Sequence, residues 1–447
     1  QKFHQLTEEP VSRMISHLAV PCIISMLVTA FYNMADTFFV GMLRSNAATG
    51  AVGVVFSMMA VIQAVGFFFG HGSGNFISRE LGRRNTDSAS NMAATGFFSA
   101  LFTGLLICVF GEIFLTPLAA FLGSSPTILP YAKDYLRVIL IGAPWMTASL
   151  VLNNQLRFQG SAVYGMVGIA SGAVLNIGLD PIFIFTLDMG VAGAAIATDI
   201  SQLVSCVLSL RFLMRVEDDY RVTAKEVRVH KKMAVRIIKV GLPTGIQNMV
   251  ISLSNVLVQV SVNGYGAAAM AGFAAYMKVD GFNILPVLSF GMAATTFVGQ
   301  NFGAGKIDRV KKGTFVTLGM CIVYTILTGI LLLAFQDPIM HLFTGDETVV
   351  AYGKICMLYF CPFYWMLGIL QGLAGTVRGT GKSVPPMVVL LISLCLFRIA
   401  WIQFALPLFA GIEGVLLVYP VSWAVGAVLM VLYAWKGKWM QLPEAIS

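Results

Sequence analysis

The chain has 447 residues, 57% of them hydrophobic and only 11% charged, where a soluble domain carries about a quarter charged residues. A globule so poor in charge would expose apolar surface on every side, which excludes an ordinary soluble protein and leaves lipid as the solvent. The formal charge of +8 raises the question of nucleic acid, and the placement of the basic residues answers it below.

A spanning helix needs roughly 20 apolar residues. In chain order, apolar runs predict twelve spans, near 15–41, 48–76, 89–112, 133–156, 163–186, 191–214, 239–262, 268–298, 313–335, 350–376, 384–408 and 412–435. The segments 48–76 and 268–298 are long enough to tilt or bend. Pro21, Pro144, Pro181, Pro243, Pro286 and Pro362 fall within or near helix bodies, where each removes a backbone hydrogen bond and favours a kink. The opening QKFHQLTEEPVSR is polar and leads straight into a full-length span, so no cleaved signal is expected there.

Basic residues sort to one side. Lys2, Arg13, Arg79, Arg83, Arg84, Arg157, the segment 211–239, Lys306, Arg309, Lys311, Lys312, Arg378, Lys382, Lys436 and Lys438 share a face, against Arg44, Lys133, Arg137 and Lys354 on the other. The positive-inside rule makes the first face cytoplasmic, with both termini inside a bacterial inner membrane. The excess of Lys and Arg is therefore topological, and no nucleic-acid partner is expected.

Shifted by 221 residues, the chain matches itself. Lys133 falls on Lys354, Arg157 on Arg378, Gly160 on Gly381, Gly70 on Gly291, Gly193 on Gly414 and Ser201 on Ser422. A constant offset across ten helices points to duplication. Six helices per half is an even number, so the halves are parallel repeats related by a pseudo-two-fold axis along the membrane normal. The reading is an all-α membrane protein of 12 transmembrane helices in two six-helix lobes, 1–214 and 239–447. The polar, basic stretch 215–238 forms a cytoplasmic inter-lobe linker, an interfacial helix being one form it could take.

Charges at membrane depth cost about 2.5–3.5 kcal/mol each on insertion scales, so each marks a candidate site. At 1.5 Å per residue, Asp36 lies roughly 30 Å above the inner end of its helix, Asp180 roughly 26 Å above, and Thr198 and Asp199 roughly 10 Å below the outer surface. Tyr32 and Asp36 share a helix face at i, i+4, as do Asn176 and Asp180. One polar cluster in the outer half of the first lobe follows, suited to take a proton from outside and release it inside. The repeat places Leu257, Trp401 and Phe397 where the first lobe has Asp36, Asp180 and Asn176, so the scaffold does not require them. The plainer alternatives are a solvated helix end for Asp36, a helix cap for Asp180 before Pro181, and a contact with a neighbouring helix for Asp199. In the second lobe Lys278, Asp280 and Arg398 lie near mid-depth. A neutralising pair, Asp280–Arg398 or Asp280–Lys278, is one reading, and contact with a charged substrate the other.

The first span, PCIISMLVTAFYNMADTFFVG, and the fifth, NIGLDPIFIF, within a 12-helix duplication resemble the MATE (multidrug and toxic compound extrusion) family, in its bacterial branch of the DNA-damage-inducible type. The resemblance covers essentially the whole chain. It implies two lobes around a central V-shaped cleft that opens alternately to each side, monomeric function, and cation antiport, proton with sodium as the alternative, that exports hydrophobic and cationic small molecules. It assigns ion coupling to Asp36, Tyr32, Asn176, Asp180 and Thr198 and a bend of helix 1 to Pro21. Helix 7 here, GLPTGIQNMVISLSNVLVQVSV, lacks the acidic residue of another branch, which weakens a second-lobe sodium site of that kind. A flippase for a lipid-linked precursor is the competing reading within the same superfamily.

Other signals fail. The run GTVRGTGKS departs from a phosphate loop because Thr376 stands where glycine is required. The glycines of GHGSGN end an apolar helix instead of following a strand. Neither five scattered histidines nor seven cysteines in apolar runs make a metal cage, no catalytic constellation points to an enzyme, and no cofactor is expected.

Overall fold

The structure, a computed structural model, describes residues 8, 10–42, 46–122, 126–214 and 231–436. Among them the secondary structure is helical throughout. In chain order the α-helices are α1 (Val11–Gly41), α2 (Asn46–Gly82), α3 (Thr86–Ile113), α4 (Leu115–Phe121), α5 (Leu129–Ile141), α6 (Ala143–Phe158), α7 (Ala162–Pro181), α8 (Val191–Met214), α9 (Lys231–Asn263) and α10 (Ala267–Asn283). They continue as α11 (Leu285–Gly303), α12 (Ile307–Ala334), α13 (Gln336–His341), α14 (Glu347–Phe360), α15 (Tyr364–Gly379), α16 (Val384–Leu390), α17 (Phe397–Ala400), α18 (Glu413–Leu416) and α19 (Val418–Lys436). Ten stretches of the described residues are long and apolar enough to cross a membrane, and α5 with α6, bent by 54°, makes an eleventh. With the 37-residue α2, the arrangement agrees with twelve spans.

Breaks fall where backbone bonds are lost. The span expected over 133–156 is the bent pair α5–α6, with Gly142 and Pro144 at the break. The Thr147 hydroxyl serves the carbonyls loosened there, reaching Ala143 O at 3.1 Å and Pro144 O at 2.8 Å. The long segment 268–298 divides at Ile284 before Pro286, whereas α2 runs unbroken. Between α14 and α15 a 3₁₀ turn, Cys361–Phe363, carries Pro362. Turns of π-helix follow Pro181 at Ile182–Thr186 and recur at Leu391–Leu396 and Trp401–Ala405. Helices α1 and α9 run through Pro21 and Pro243.

Two compact units form. The first takes in Val20–Leu242, and the second Pro243 onward together with residues up to Ala19. These bounds differ from lobes ending at 214 and starting at 239, and packing gives the reason. A Cβ on Gly72 would come within 2.7 Å of Ile237 O, and one on Gly241 within 2.6 Å of Phe68 O, which ties the start of α9 to α2. The start of α1 approaches the second unit instead, Ile15 Cδ1 lying 3.8 Å from where a Gly313 Cβ would stand. Residues 215–230 of the expected linker lie outside the described residues, and 231–238 already belong to α9.

Within the first unit α2 packs along α6 and α3, and α7 along α8. Gly66, Gly70 and Gly74 make one face of α2, and Cβ atoms there would stand 2.7 Å from Leu150, 2.7 Å from Asn154 and 2.2 Å from Phe158 of α6. Small residues at one-turn spacing let two membrane helices approach closely. The second unit repeats this pair at the 221 offset. There α11 meets α15, with Gly375 against Gly291 O and Gly379 against Thr295 O.

Turns repeat as well. Gly160 and Gly381, one offset apart, have φ of 97° and 90°. Gly305, at φ 76°, corresponds to Arg84, which holds φ 61° without being glycine. A side chain in the left-handed region costs about 1–2 kcal/mol. Arg84→Gly is therefore expected to raise stability by roughly 1 kcal/mol, read as a higher thermal midpoint of the purified protein.

Outside the spans, α13 holds a small ionic cluster. Asp337 pairs with Lys354. His341 Nδ1 lies 2.6 Å from Asp337 O, and its Nε2 lies 3.0 Å from Glu347 Oε1. With both ring nitrogens facing acceptors, Glu347 first and the Asp337 carbonyl second hold His341 above the ordinary histidine value. The hydrogen bond from Lys354 holds Asp337 below the usual carboxylate value. The signs oppose. The His341 contribution to stability is complete below the unfolded histidine value and fades as pH rises through its raised one. The Asp337 contribution is present above the unfolded aspartate value and fades as pH falls through its lowered one. In an NMR titration His341 should lose its proton above 6.5, and Glu347→Gln should bring that midpoint down.

Candidate functional site

In the first unit, α7 and α8 are held close by small residues: a Cβ on Gly172 would stand 3.0 Å from Ser201 O, and one on Gly168 2.7 Å from Ser209 Oγ. This proximity buries polar groups. Asn176, Asp180 and Thr198 are fully buried, and Tyr32 of α1 is nearly so. Thr198 donates to Asn176 Oδ1 at 3.3 Å and to Ala194 O at 3.0 Å. One turn on, Gln202 Nε2 donates to the Tyr32 hydroxyl at 3.5 Å. Asp180 stands one turn beyond Asn176 on the same helix face. The structure thus links Asn176 to Thr198 and Tyr32 to Gln202 on consecutive turns of α8. The side chain of Asp36 lies outside the described residues. Helix α1 continues through Pro21, whose carbonyl accepts from Ser25 Oγ at 2.9 Å.

Tyr32 and Gln202 face a cavity of about 70 Å³, room for about two water molecules. Its polar wall includes Thr29, Tyr32, Gln63, Asn153, Ser201 and Gln202, with Met59 and Met146 among the apolar lining. Sequence reasoning missed Gln63, Asn153 and Gln202, which carry no charge. Gln202 alone had a signal, its i, i+4 spacing from Thr198 on α8.

Asp199 faces elsewhere. Consecutive helical residues point about 100° apart, so Asp199 meets α5 and α6 at their break. A Cβ on Gly142 would stand 2.2 Å from Asp199 Oδ1, and Trp145 Nε1 donates to Asp199 O at 3.0 Å. The structure thus sets Asp199 against the α5–α6 break.

In the second unit the expected ion pairs do not form: among the described residues no salt bridge joins Asp280 to Arg398 or to Lys278. Lys278 is exposed. Asp280, half-buried, accepts from the Tyr364 hydroxyl, which also bonds Tyr276. Arg398, 2% exposed, directs its donors to neutral oxygens instead: Ser254 Oγ at 3.0 Å, Ser422 Oγ at 3.2 Å and Asn255 Oδ1 at 3.3 Å. Its guanidinium lies 4.6 Å from the centre of the Tyr419 ring. Tyr364 and Tyr276, neither of which carries charge at neutral pH, are the partners that sorting charges by sign could not find. No cluster of three or more His, Cys, Asp or Glu able to hold a metal ion occurs among the described residues.

The comparisons with known proteins agree with this architecture. The MatE family model matches residues 21–182 and 243–402, two stretches one repeat length apart. The chain is 23% identical over 385 residues to the multidrug export protein MepA of Staphylococcus aureus (strain MRSA252), covering 86% of this chain and 85% of that protein. It superposes on a MATE crystal structure in the bent conformation, with a TM-score of 0.90 at 23% identity over 97% of this chain and 96% of the other. It superposes equally, at a TM-score of 0.90 and 23% identity over 97% of each chain, on a multidrug resistance MATE family transporter of the MOP superfamily in an outward-facing conformation. Matched in both of its repeats and over most of its length, the chain belongs to the MatE family.

Proposed function

We propose that this protein is a secondary active exporter of hydrophobic and cationic organic compounds, driven by cation antiport through alternating access, with the proton as coupling ion. The family and the MepA relatives are transporters, so the chain is a transporter and not an enzyme. The observation that carries the coupling assignment is the fully buried Asp180 on the helix face of Asn176, whose Oδ1 accepts from Thr198 at 3.3 Å. A carboxylate at membrane depth is costly to keep charged. Its occupancy by a proton therefore changes the free energy of the unit around it, and that difference is what a transport cycle uses. Asn176, Thr198 and Tyr32 hold the site, Asp36 extends it along α1, and Pro21 gives α1 its place to bend.

The finer readings belong to the same proposal: placement in the DNA-damage-inducible branch, a monomer in a bacterial inner membrane with both termini cytoplasmic, two six-helix lobes joined by residues 215–238, and no cofactor beyond the coupling ion. Everted vesicles test it. An imposed pH gradient should drive accumulation of a lipophilic cationic dye at zero sodium. Accumulation driven by a sodium gradient alone at fixed pH would reassign the ion to sodium. Failure under both gradients, with transfer of a lipid-linked precursor across the bilayer, would favour the flippase.

A further inference from the structure

The 221 offset places the charged cluster of the second unit on the polar site of the first. Asp280 corresponds to Met59, Tyr419 to Thr198, Ser422 to Ser201 and Trp423 to Gln202. Met59, Ser201 and Gln202 line the cavity of the first unit. The structure bears the correspondence out: Gly172 stands against Ser205 in the first unit, and their counterparts Ser393 and Gly426 stand against each other in the second. Where the first unit has a cavity, the second has aromatic rings around one carboxylate. Tyr364 stacks on Trp423 at 5.3 Å, and Phe360 meets Tyr276 at 5.0 Å.

Three hydrogen-bonding contacts run in series from that carboxylate: Asp280 to Tyr364, Tyr364 to Tyr276, and Tyr276 to Cys361 Sγ at 3.8 Å. A hydroxyl both donates and accepts, so the chain has two complete polarities. With Asp280 ionised, Tyr276 donates to Tyr364 and Tyr364 donates to Asp280. With Asp280 protonated, its own O–H donates to Tyr364, Tyr364 donates to Tyr276, and Tyr276 donates to the Cys361 sulfur. Neither state strands a buried hydroxyl, whose desolvation would otherwise oppose the change. A direct ion pair would tie the carboxylate to its charged form, and Arg398 makes none: its Nη1 donates to Ser254 and Asn255 and its Nε to Ser422. The chain ends at Cys361, the first residue of the 3₁₀ turn that breaks α14 from α15. That break is tightly held, since a Cβ on Gly329 of α12 would stand 2.6 Å from Cys361 O.

We propose that Asp280 is a second proton-binding site, in the second unit, whose occupancy is passed through Tyr364 and Tyr276 to the helix break at Cys361. The groups around it are Tyr276 on its own helix, Tyr364 and Cys361 at the break, Arg398 acting through space, and Tyr419 on α19. The exposed Lys278 stands two residues away. The proton comes from water and returns to it, and no other bond is made or broken. The use of this site in export rests on the function proposed above, but its existence does not.

The test therefore needs no transport. Infrared difference spectra against pH, taken on the full chain in lipid nanodiscs, read the carbonyl stretch of protonated carboxyls. Asp280→Asn should remove one titrating carboxyl, and Asp180→Asn should leave that carboxyl in place. Tyr364→Phe keeps the ring and removes the hydroxyl, and should move the midpoint by about one pH unit, the worth of a hydrogen bond to a charged group. Trp423 supplies the second readout: a pH-dependent fluorescence change should vanish in both Asp280→Asn and Trp423→Phe. An unchanged carboxyl band in Asp280→Asn overturns the site, even where export proceeds as proposed. A band that changes while Tyr364→Phe leaves both midpoint and fluorescence unmoved overturns the relay. Loss of ion-driven export in Asp180→Asn, with the Asp280 band intact, leaves this inference standing.

Discussion

Asp180→Asn is expected to cut ion-driven export by about a hundredfold while leaving the protein folded and able to bind substrate. Asparagine keeps the shape and polarity of the side chain but can neither take up nor release a proton. The carboxylate is fully buried, one turn from Asn176, which Thr198 holds at 3.3 Å. A charge at that depth is worth about 2.5–3.5 kcal/mol, which at 1.4 kcal/mol per tenfold is roughly two powers of ten in the balance between two states. A ligand shifts a conformational equilibrium only by its differential affinity for the two forms, so removing that difference uncouples the cycle. Thr198→Ala is the graded control. It removes one neutral hydrogen bond, worth about 1 kcal/mol, and should slow export several-fold without abolishing it. Dye accumulation in everted vesicles under a fixed pH gradient measures both, with dye binding at equilibrium as the check on folding. Full export by Asp180→Asn would remove the first-unit site from the mechanism.

The parts of the site that were legible in the sequence are those governed by helix pitch. A rise of 1.5 Å per residue gives depth, and a spacing of four gives a common face. These two facts sufficed to group Tyr32, Asn176, Asp180 and Thr198, and the structure links Asn176 to Thr198 and Tyr32 to the next turn of α8. Asp199 shows where the method stops. Its depth matches that of Thr198, but which neighbour it meets depends on the packing of a third helix. That helix is displaced by a 54° break at Gly142, against which Asp199 sits. Asp280 fails for a different reason. Sorting intramembrane charges by sign offers it Arg398 or Lys278, yet a carboxylate is equally served by a hydroxyl. The hydroxyl it takes, Tyr364, is brought there by a 3₁₀ turn at Cys361–Phe363, and Pro362 marks that break without saying where it aims the next side chain.

The scaffold was more legible than the chemistry because duplication leaves a trace wherever the backbone is constrained. Gly160 and Gly381 share a left-handed turn, and Gly70 and Gly291 lie at the same helix crossing. The boundaries of the two units were less so. Hydropathy marks where a span enters lipid, not which neighbours it packs against, and α1 passes from one unit to the other between Ala19 and Val20.

The close crossing of α11 and α15 makes the sharpest prediction about stability, because one substitution type can be compared at three glycines. Replacing glycine by alanine in a helix gains about 0.5–1 kcal/mol from the backbone entropy of the unfolded chain. At Gly319 of α12 nothing lies within 4 Å of the new Cβ, so Gly319→Ala should show that gain alone. At Gly375 the Cβ would stand 2.4 Å from Gly291 O and 2.9 Å from both Gly291 C and Cα. Those atoms are backbone and cannot rotate aside, so α11 and α15 must separate along their length. Overpacking of this kind costs about 1–3 kcal/mol or more, and Gly375→Ala should lose roughly 2 kcal/mol net. Gly74→Ala should fall between them. Its nominal clash is shorter, 2.2 Å to Phe158 Cδ2, but the obstacle is a ring that can swing. Thermal unfolding of the three variants in one detergent should therefore rank Gly319→Ala above Gly74→Ala above Gly375→Ala. If Gly375→Ala is as stable as Gly319→Ala, the crossing is looser than described, and the small-residue repeat at the 221 offset loses its structural meaning.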